Sequence, residues 1–198
     1  MSEQKILPIV NVEKFYVALL KSETKDKVEY GDAIYLEGIK EFGVKLKVNS
    51  DPFYHEGRKV FDETTLADIN ITINLTGLSD KDECLLLGHK MAKEGGIIRN
   101  ENDIAPEVAI LIKSNKARGI DRYEVLYAGT FSEPDTDKKS KEGKSNFQTL
   151  KLEANFRPLK SGLWSYKVDS DSANSEETIK SFFTKVIVPT ATDEITSK

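Results

Sequence analysis

The sequence predicts a mainly β domain carrying one clear helix, and three stretches carry that reading. Tyr123, Val125, Tyr127 and Phe131 share one side of YEVLYAGTF, and Leu150, Leu152, Ala154 and Phe156 share one side of TLKLEANFR. Such period-two alternation marks half-buried strands, and the two segments are expected to pair as a hairpin. From Asp68 to Leu75, Ile69, Ile71, Ile73 and Leu75 alternate strictly with Asp68, Asn70, Thr72 and Asn74, so one face of this strand meets a polar medium. In contrast, the only strong helical pattern lies between Ser79 and Gly96.

Taken in order, Phe15, Val17 and Leu19 alternate with Tyr16, Ala18 and Leu20, and Phe42, Val44, Leu46 and Val48 alternate with Gly43, Lys45 and Lys47. Both read as strands. Ser79 and Asp82 have capping-box spacing; Cys84, Leu87 and Met91 fall on one helical face, and Gly95-Gly96 supplies a left-handed stop. The helix is expected over Asp80 to Lys93, lying against a sheet. Val108 to Ile112 (VAILI) is apolar on both faces, as a central strand covered from two sides would be. Trp164, Tyr166 and Val168 alternate with Ser165 and Lys167. At least six or seven strands follow. Asn174 to Phe183 fits a short second helix capped by Asn174, while Phe182 to Val188 fits a strand equally well. The organisation is one domain over residues 1–189 and a mobile tail over 190–198, which has little to bury.

Between the paired strands, Glu133 to Asn146 (EPDTDKKSKEGKSN) sets Glu133, Asp135, Asp137 and Glu142 against Lys138, Lys139, Lys141 and Lys144, with no apolar side chain. Hairpin loops usually span about two to five residues, and longer ones are functional or disordered. Without an apolar anchor the loop cannot offset its ordering entropy, so it is expected to be mobile in a free subunit.

Composition excludes several classes. The 198 residues carry a formal net charge of −4 with 31% charged side chains, which gives no basic footprint for tight nucleic-acid binding. One cysteine, Cys84, rules out an internal disulfide and a cysteine metal cluster, and fits a reducing compartment. The opening MSEQKILPIV lacks a basic stretch followed by a long apolar run, and no apolar run reaches ~20 residues, so a soluble protein made in the cytoplasm is expected.

Signals for chemistry are weak. His55 and His89 have no second His or Cys at metal-ligand spacing. Gly143-Lys144-Ser145 imitates the end of a phosphate loop, but Lys138 stands where its first glycine belongs. Asn70 and Asn74 open glycosylation sequons, yet they lie inside a strand. No carboxylate pair is singled out by an apolar setting, and Cys84 reads as a small core residue. No catalytic, metal-binding or cofactor-binding residue is expected, and no cofactor.

An ordered set of short motifs points further. A helix ending Leu86-Leu87-Gly88-His89, a restart at Gly96-Ile97, and Asp103-Ile104-Ala105-Pro106 leading into Val108-Ala109 are followed by Tyr127-Ala128-Gly129-Thr130-Phe131, Phe147-Gln148-Thr149 and Trp164. This succession, running roughly from Val12 to Pro189, resembles the major tail proteins of long-tailed phages. Glu107 and Leu126 depart from it, standing where aromatics are expected. The resemblance implies two packed antiparallel β-sheets, a sandwich or partial barrel, flanked by one α-helix. It further implies hexameric rings that stack into a tail tube around a channel for DNA, in the virion. Its partners would be further copies of itself, the tape measure, tail terminator and distal tail proteins, and DNA in non-specific transit, with no membrane.

On that reading Asp68, Asn70, Thr72 and Asn74 are lumen candidates, their polar to acidic face suiting a water-filled barrel that repels phosphates. Glu133, Asp135, Asp137, Lys138, Lys139, Lys141, Glu142 and Lys144 are candidates for an inter-ring contact. A monomeric β-sandwich binding module for carbohydrate or protein would share the strands and show exposed aromatics clustered on one face. A small hydrolase would need a convergent constellation of acid, base or metal ligands.

Overall fold

The computed structural model describes residues 6–56, 58–135 and 149–190. Within them the order is β1 (Ile9–Glu23), β2 (Val28–Tyr30), β3 (Ile34–Tyr35), β4 (Ile39–His55), β5 (Arg58–Leu75), α1 (Asp80–Leu87), β6 (Lys90–Met91), β7 (Ile97–Ile98), β8 (Val108–Lys116), β9 (Asp121–Phe131), β10 (Leu150–Arg157), β11 (Ser165–Asp169) and α2 (Glu176–Ser181). Nine strands form one antiparallel sheet ordered β2-β1-β8-β9-β10-β5-β4, with β3 also on β1 and β11 also on β9. β6 and β7 form a separate ribbon.

The sheet rolls. Five ladder steps separate β1 from β4, which in a flat sheet would set them roughly 24 Å apart at ~4.8 Å per step. Instead the rings of Phe15 on β1 and Phe42 on β4 have centroids 6.2 Å apart. Ile69, Ile71, Ile73 and Leu75 of β5, Val108, Ile110 and Ile112 of β8, and Leu152, Ala154 and Phe156 of β10 are buried inside the roll with Phe15 and Val17. One sheet folded over its own core therefore replaces the two packed sheets expected from the resemblance. Among the described residues no ladder joins β4 to β1, so the barrel is not closed.

The expected hairpin is present, with Ala154 opposite Phe131 and Phe156 opposite Gly129. One detail differs. Tyr123, Val125 and Tyr127 face the outer core, whereas Phe131 lies in the inner one. The register explains it: Val108 opposes Gly129 but Ile110 opposes Leu126, so β9 holds one extra residue. A bulge of this kind reverses the alternation beyond it. Leu126, a departure from the family pattern, packs inside the roll, and Glu107, the other, is bound by Arg157 at 2.6 and 2.7 Å.

β8 is covered on both sides, as its composition predicts. Ala109 and Leu111 join Tyr123, Val125, Tyr127 and Phe182 in the outer cluster. The chain after β11 closes that face: Phe183 stacks on Tyr16 at 4.5 Å, and the Tyr127 hydroxyl donates to the Ile187 carbonyl at 2.8 Å. α2 is shorter than expected; Asn174 takes φ 60° instead of capping, Ser175 is the N-cap, and residues 182–188 form neither helix nor strand.

Helix α1 begins as expected, with the Ser79 Oγ accepting from the Asp82 N–H at 3.3 Å. It ends sooner. Gly88, not Gly95, takes the left-handed cap at φ 76°, and a Cβ there would also stand 2.1 Å from the Ile104 carbonyl oxygen. Residues beyond it fold back as the β6–β7 ribbon, turning through Gly95 and Gly96 at φ 93° and 85°. Leu86 and Leu87 are buried, Cys84 is half-buried, and Met91 lies on β6, exposed, instead of on the helical face. The tail from residue 191 onward lies outside the described residues.

Gly129 sits under the Phe156 ring, where a Cβ would come within 2.1 Å of its carbons. Gly129→Val is therefore expected to lower unfolding free energy by about 1 to 3 kcal/mol through overpacking. Phe156→Ala in the same chain should recover part of the loss, read as coupling in a urea-unfolding double-mutant cycle.

Candidate functional site

β4 and β5 stay paired from Ile39 opposite Leu75 out to His55 opposite Arg58. β10 accompanies β5 only from Ile69 to Leu75. Beyond Leu46 and Ile69 the hairpin stands free as a two-stranded arm, nine residues from Leu46 to its tip at His55, or roughly 30 Å at ~3.3 Å per residue. Both faces and both outer edges of the arm are exposed.

Cross-strand partners share a face, so the register assigns the arm's surfaces. Val44, Leu46, Val48 and Leu66 continue the stripe of Ile69, Ile71 and Ile73 outward from the core. Residue shifts opposite Lys47/Val48 and Phe53/Tyr54 add a bulge on β5 at each place, and these stiffen the twist of an edge without burying it. At the tip Phe53 opposes Phe61, and His55 and Arg58 lie on the same face. Phe53 is 60% exposed, Phe61 58% and Val60 65%. Isolated exposed apolar residues are ordinary; an apolar stripe on one face of an arm and an aromatic pair on its other face, beside unpaired strand edges, mark an interaction surface.

Sequence reasoning did not find this arm. The signal was present in Phe53-Tyr54 and Val60-Phe61 flanking the turn at His55 to Arg58, but Pro52 and two bulges break the alternation.

At the arm's root lies an open cleft of about 530 Å³. Phe42, Val44 and Leu46 of β4 form one wall; Leu126 of β9, Trp164 and the residues of β11 form the other. The cleft exists because β9 pairs with β10 along Ala128 to Phe131 and with β11 along Arg122 to Leu126, on one and the same edge. Glu124 projects into this apolar setting. Among the described residues it has no hydrogen bond or ion pair, and burial pushes its carboxyl pKa up, with Arg122 and Lys167 partly opposing. It is the one carboxylate lining this cleft.

The lumen candidates Asp68, Asn70, Thr72 and Asn74 do share the face of β5 opposite the core, Asp68 exposed and the others half-buried. Their neighbours change its charge. Lys45 opposes Asn70, Lys47 opposes Asp68 at 3.2 Å, Glu41 accepts from Asn74 at 2.6 Å, and Lys151 and Glu153 of β10 pair at 2.6 Å beside Asn74 and Thr72. The face is mixed in charge, not acidic.

Of the loop candidates, Glu133 and Asp135 are described; Asp137, Lys138, Lys139, Lys141, Glu142 and Lys144 lie outside the described residues, as do Gly143 and Ser145. Glu133 Oε1 stands 2.6 Å from Nε2 of the buried His89, whose Nδ1 meets Asp103 Oδ2 at 2.8 Å. His89 thus lies between Glu133 at the root of the loop and its hydrogen-bond partner Asp103 in the segment after the small ribbon, while His55 is exposed at the arm's tip. Burial and the nearby Glu83 and Asp80 push the Cys84 thiol up.

Among the described residues no three of His, Cys, Asp and Glu are placed to hold a metal, and no helix is long and apolar enough to cross a membrane. No protein-family model and no curated protein matches the chain.

Beside the cleft, Lys116 Nζ binds Asp169 Oδ2 at 2.8 Å, and Arg122 binds both carboxylate oxygens at 2.7 and 2.9 Å. The side chains of Lys116 and Asp169 are 3% and 2% exposed. Asp169→Ala would strand the buried ammonium and is expected to cost about 3 to 5 kcal/mol. The Arg122 guanidinium, then Lys116, hold the Asp169 carboxyl below the usual carboxylate range against the opposing effect of burial. Its contribution is thus present above the ordinary value of ~3.9 and lost as pH falls through the lower folded value. Acid titration by circular dichroism should show a steeper stability loss below about pH 4 in the native chain than in Asp169→Asn.

Proposed function

We infer that this chain is the structural subunit of a phage tail tube, adopting a tail-tube-like fold and forming hexameric rings that stack around a channel for DNA. The observation that carries the reading is the β4–β5 arm, whose apolar stripe, aromatic tip and free edges have no role in an isolated subunit. An arm reaching roughly 30 Å beyond the core adds little to that core. It adds much to an assembly, where each unpaired edge and exposed apolar side chain finds a neighbour. The ordered motifs that resemble those of major tail proteins support the same conclusion. On this reading the protein is not an enzyme, it acts in the virion, and the tape measure, terminator and distal tail proteins meet the ends of its tube.

The exposed pair Phe53 and Phe61 favours a second reading, a monomeric binding module for carbohydrate or protein, since clustered surface aromatics are what such a module would show. Oligomeric state separates the two. Replacing residues 49–65 by a Gly-Ser turn is expected to leave a folded, monomeric body under conditions where the native chain forms rings or tubes by size-exclusion chromatography and negative-stain microscopy. A native chain that stays monomeric at high concentration would overturn the tube assignment.

The polar face of β5 is the proposed lumen surface, and the loop from Glu133 to Asn146 the proposed bridge between rings. Asp68 and Lys47 are both exposed, and such pairs contribute only ~0 to 1 kcal/mol. Asp68→Lys should therefore leave folding and tube formation intact while adding a ring of cations that slows DNA passage, measured as ejection rate in reconstituted tails. Loss of tubes in this variant would make the face an interface instead.

A further inference from the structure

We propose that the arm tip of one copy seats in the cleft of a second copy, with Phe53 and Phe61 filling the apolar space and Arg58 pairing with Glu124. The assignment rests on the self-assembly reading above and names the surfaces that carry it. Four observations converge. The cleft is open, walled by apolar side chains on β4 and by Leu126, Trp164 and Tyr166 with Glu124, Ser165 and Lys167 on the other side, and of a size, about 530 Å³, that falls within the range that encloses bulky ligands. Its one carboxylate, Glu124, makes no ion pair among the described residues, although Lys167 stands opposite it on β11. The tip presents two exposed aromatic rings on one face. On that same face stands Arg58, which likewise has no ion pair among the described residues, whereas the adjacent Lys59 is already paired with Asp62.

The two halves cannot meet within one chain. The cleft wall ends near Leu46, and Arg58 lies at the far end of the arm, roughly 30 Å away along a straight two-stranded ribbon. The partner must be a second copy. A tip-to-cleft contact joins two different surfaces, so it is heterologous and repeats from copy to copy until the rotation closes a ring. Desolvation already raises the protonation tendency of Glu124, and a guanidinium delivered with two aromatic rings would meet that carboxylate in the geometry and low-dielectric setting where Arg pairs are strongest.

Charge reversal tests this. Arg58→Glu, at a fully solvated tip, and Glu124→Arg, in the cleft, are each expected to raise the protein concentration needed for assembly by about tenfold or more in sedimentation velocity, as loss of a desolvated charge pair does. The double variant carries the swapped pair and should recover assembly close to the native level. Glu124→Gln, which keeps the side-chain shape, guards against misfolding in the cleft and should weaken assembly by a smaller factor. Arg58→Glu assembling like the native chain, or a double variant no better than either single, would overturn the pairing while native rings still uphold self-assembly. A native chain with no assembly at any concentration would overturn both.

Discussion

Strand β9 offers one edge to two partners in succession, and the rest of the molecule follows from that constraint. β11 occupies the edge along Arg122 to Leu126 and β10 along Ala128 to Phe131, so the sheet must divide where one hands over to the other. The extra residue of β9 lies at this point, and the Tyr127 N–H reaches the Trp164 carbonyl at 3.3 Å across the junction. One branch, β10-β5-β4, rolls back over the inner core. The other, β11, continues along the body and is sealed from outside by Phe182 and Phe183. Between diverging branches a cleft is unavoidable, and beyond the end of β10 only β4, among the described residues, still accompanies β5.

The arm is thus a geometric consequence of where β10 stops. Its residues are those of a strand pair, but only the inner part, with four buried aliphatic side chains on β5, draws hydrophobic stabilisation from the core. Burying each such side chain contributes about 1.5 to 3 kcal/mol, and the outer residues, only partly covered in a single copy, gain a fraction of this. A two-stranded ribbon alone is marginal in water. What orders the arm is continuity with the anchored half of the same ladder, and what would repay its exposed apolar surface is a neighbour.

Much of the body was legible because period-two alternation is a direct record of a sheet face. Asp68 to Leu75, Leu150 to Phe156 and the doubly apolar Val108 to Ile112 all read correctly for that reason. Four features were not legible, each for a physical cause. The bulge in β9 inverts alternation without any local composition signal, which is why Phe131 lies across the sheet from Tyr127. Gly88 and Gly95-Gly96 are equivalent as helix stops in sequence; the close approach of the Ile104 carbonyl and the return of the β6–β7 ribbon make the earlier one the stop. The single rolled sheet depends on long-range order, since β1 and β8 are neighbours in space and separated by the whole of the arm in the chain. Glu124 was invisible as a special carboxylate because its apolar surroundings come from β4 and β11, distant in sequence.

Register also decides the electrostatics that composition leaves open. Read alone, Asp68 to Leu75 suggests a polar to acidic surface, yet its neighbours interleave Lys45, Lys47 and Lys151 with Glu41, Asp68 and Glu153. Three cations therefore accompany three carboxylates, and two of the lysines are already held by acids of the same face at 3.2 and 2.6 Å. For a polyanion sliding past, the difference matters. A lysine free to neutralise a phosphate releases counterions and grips in a salt-dependent way, whereas one already paired must first give up its carboxylate. A face of matched pairs is close to neutral at the scale of a phosphate and presents neither strong repulsion nor a series of binding steps. In the proposed tube, low friction for DNA would then arise from cross-strand pairing more than from net acidity, and the −4 charge of the chain would bear on solubility instead.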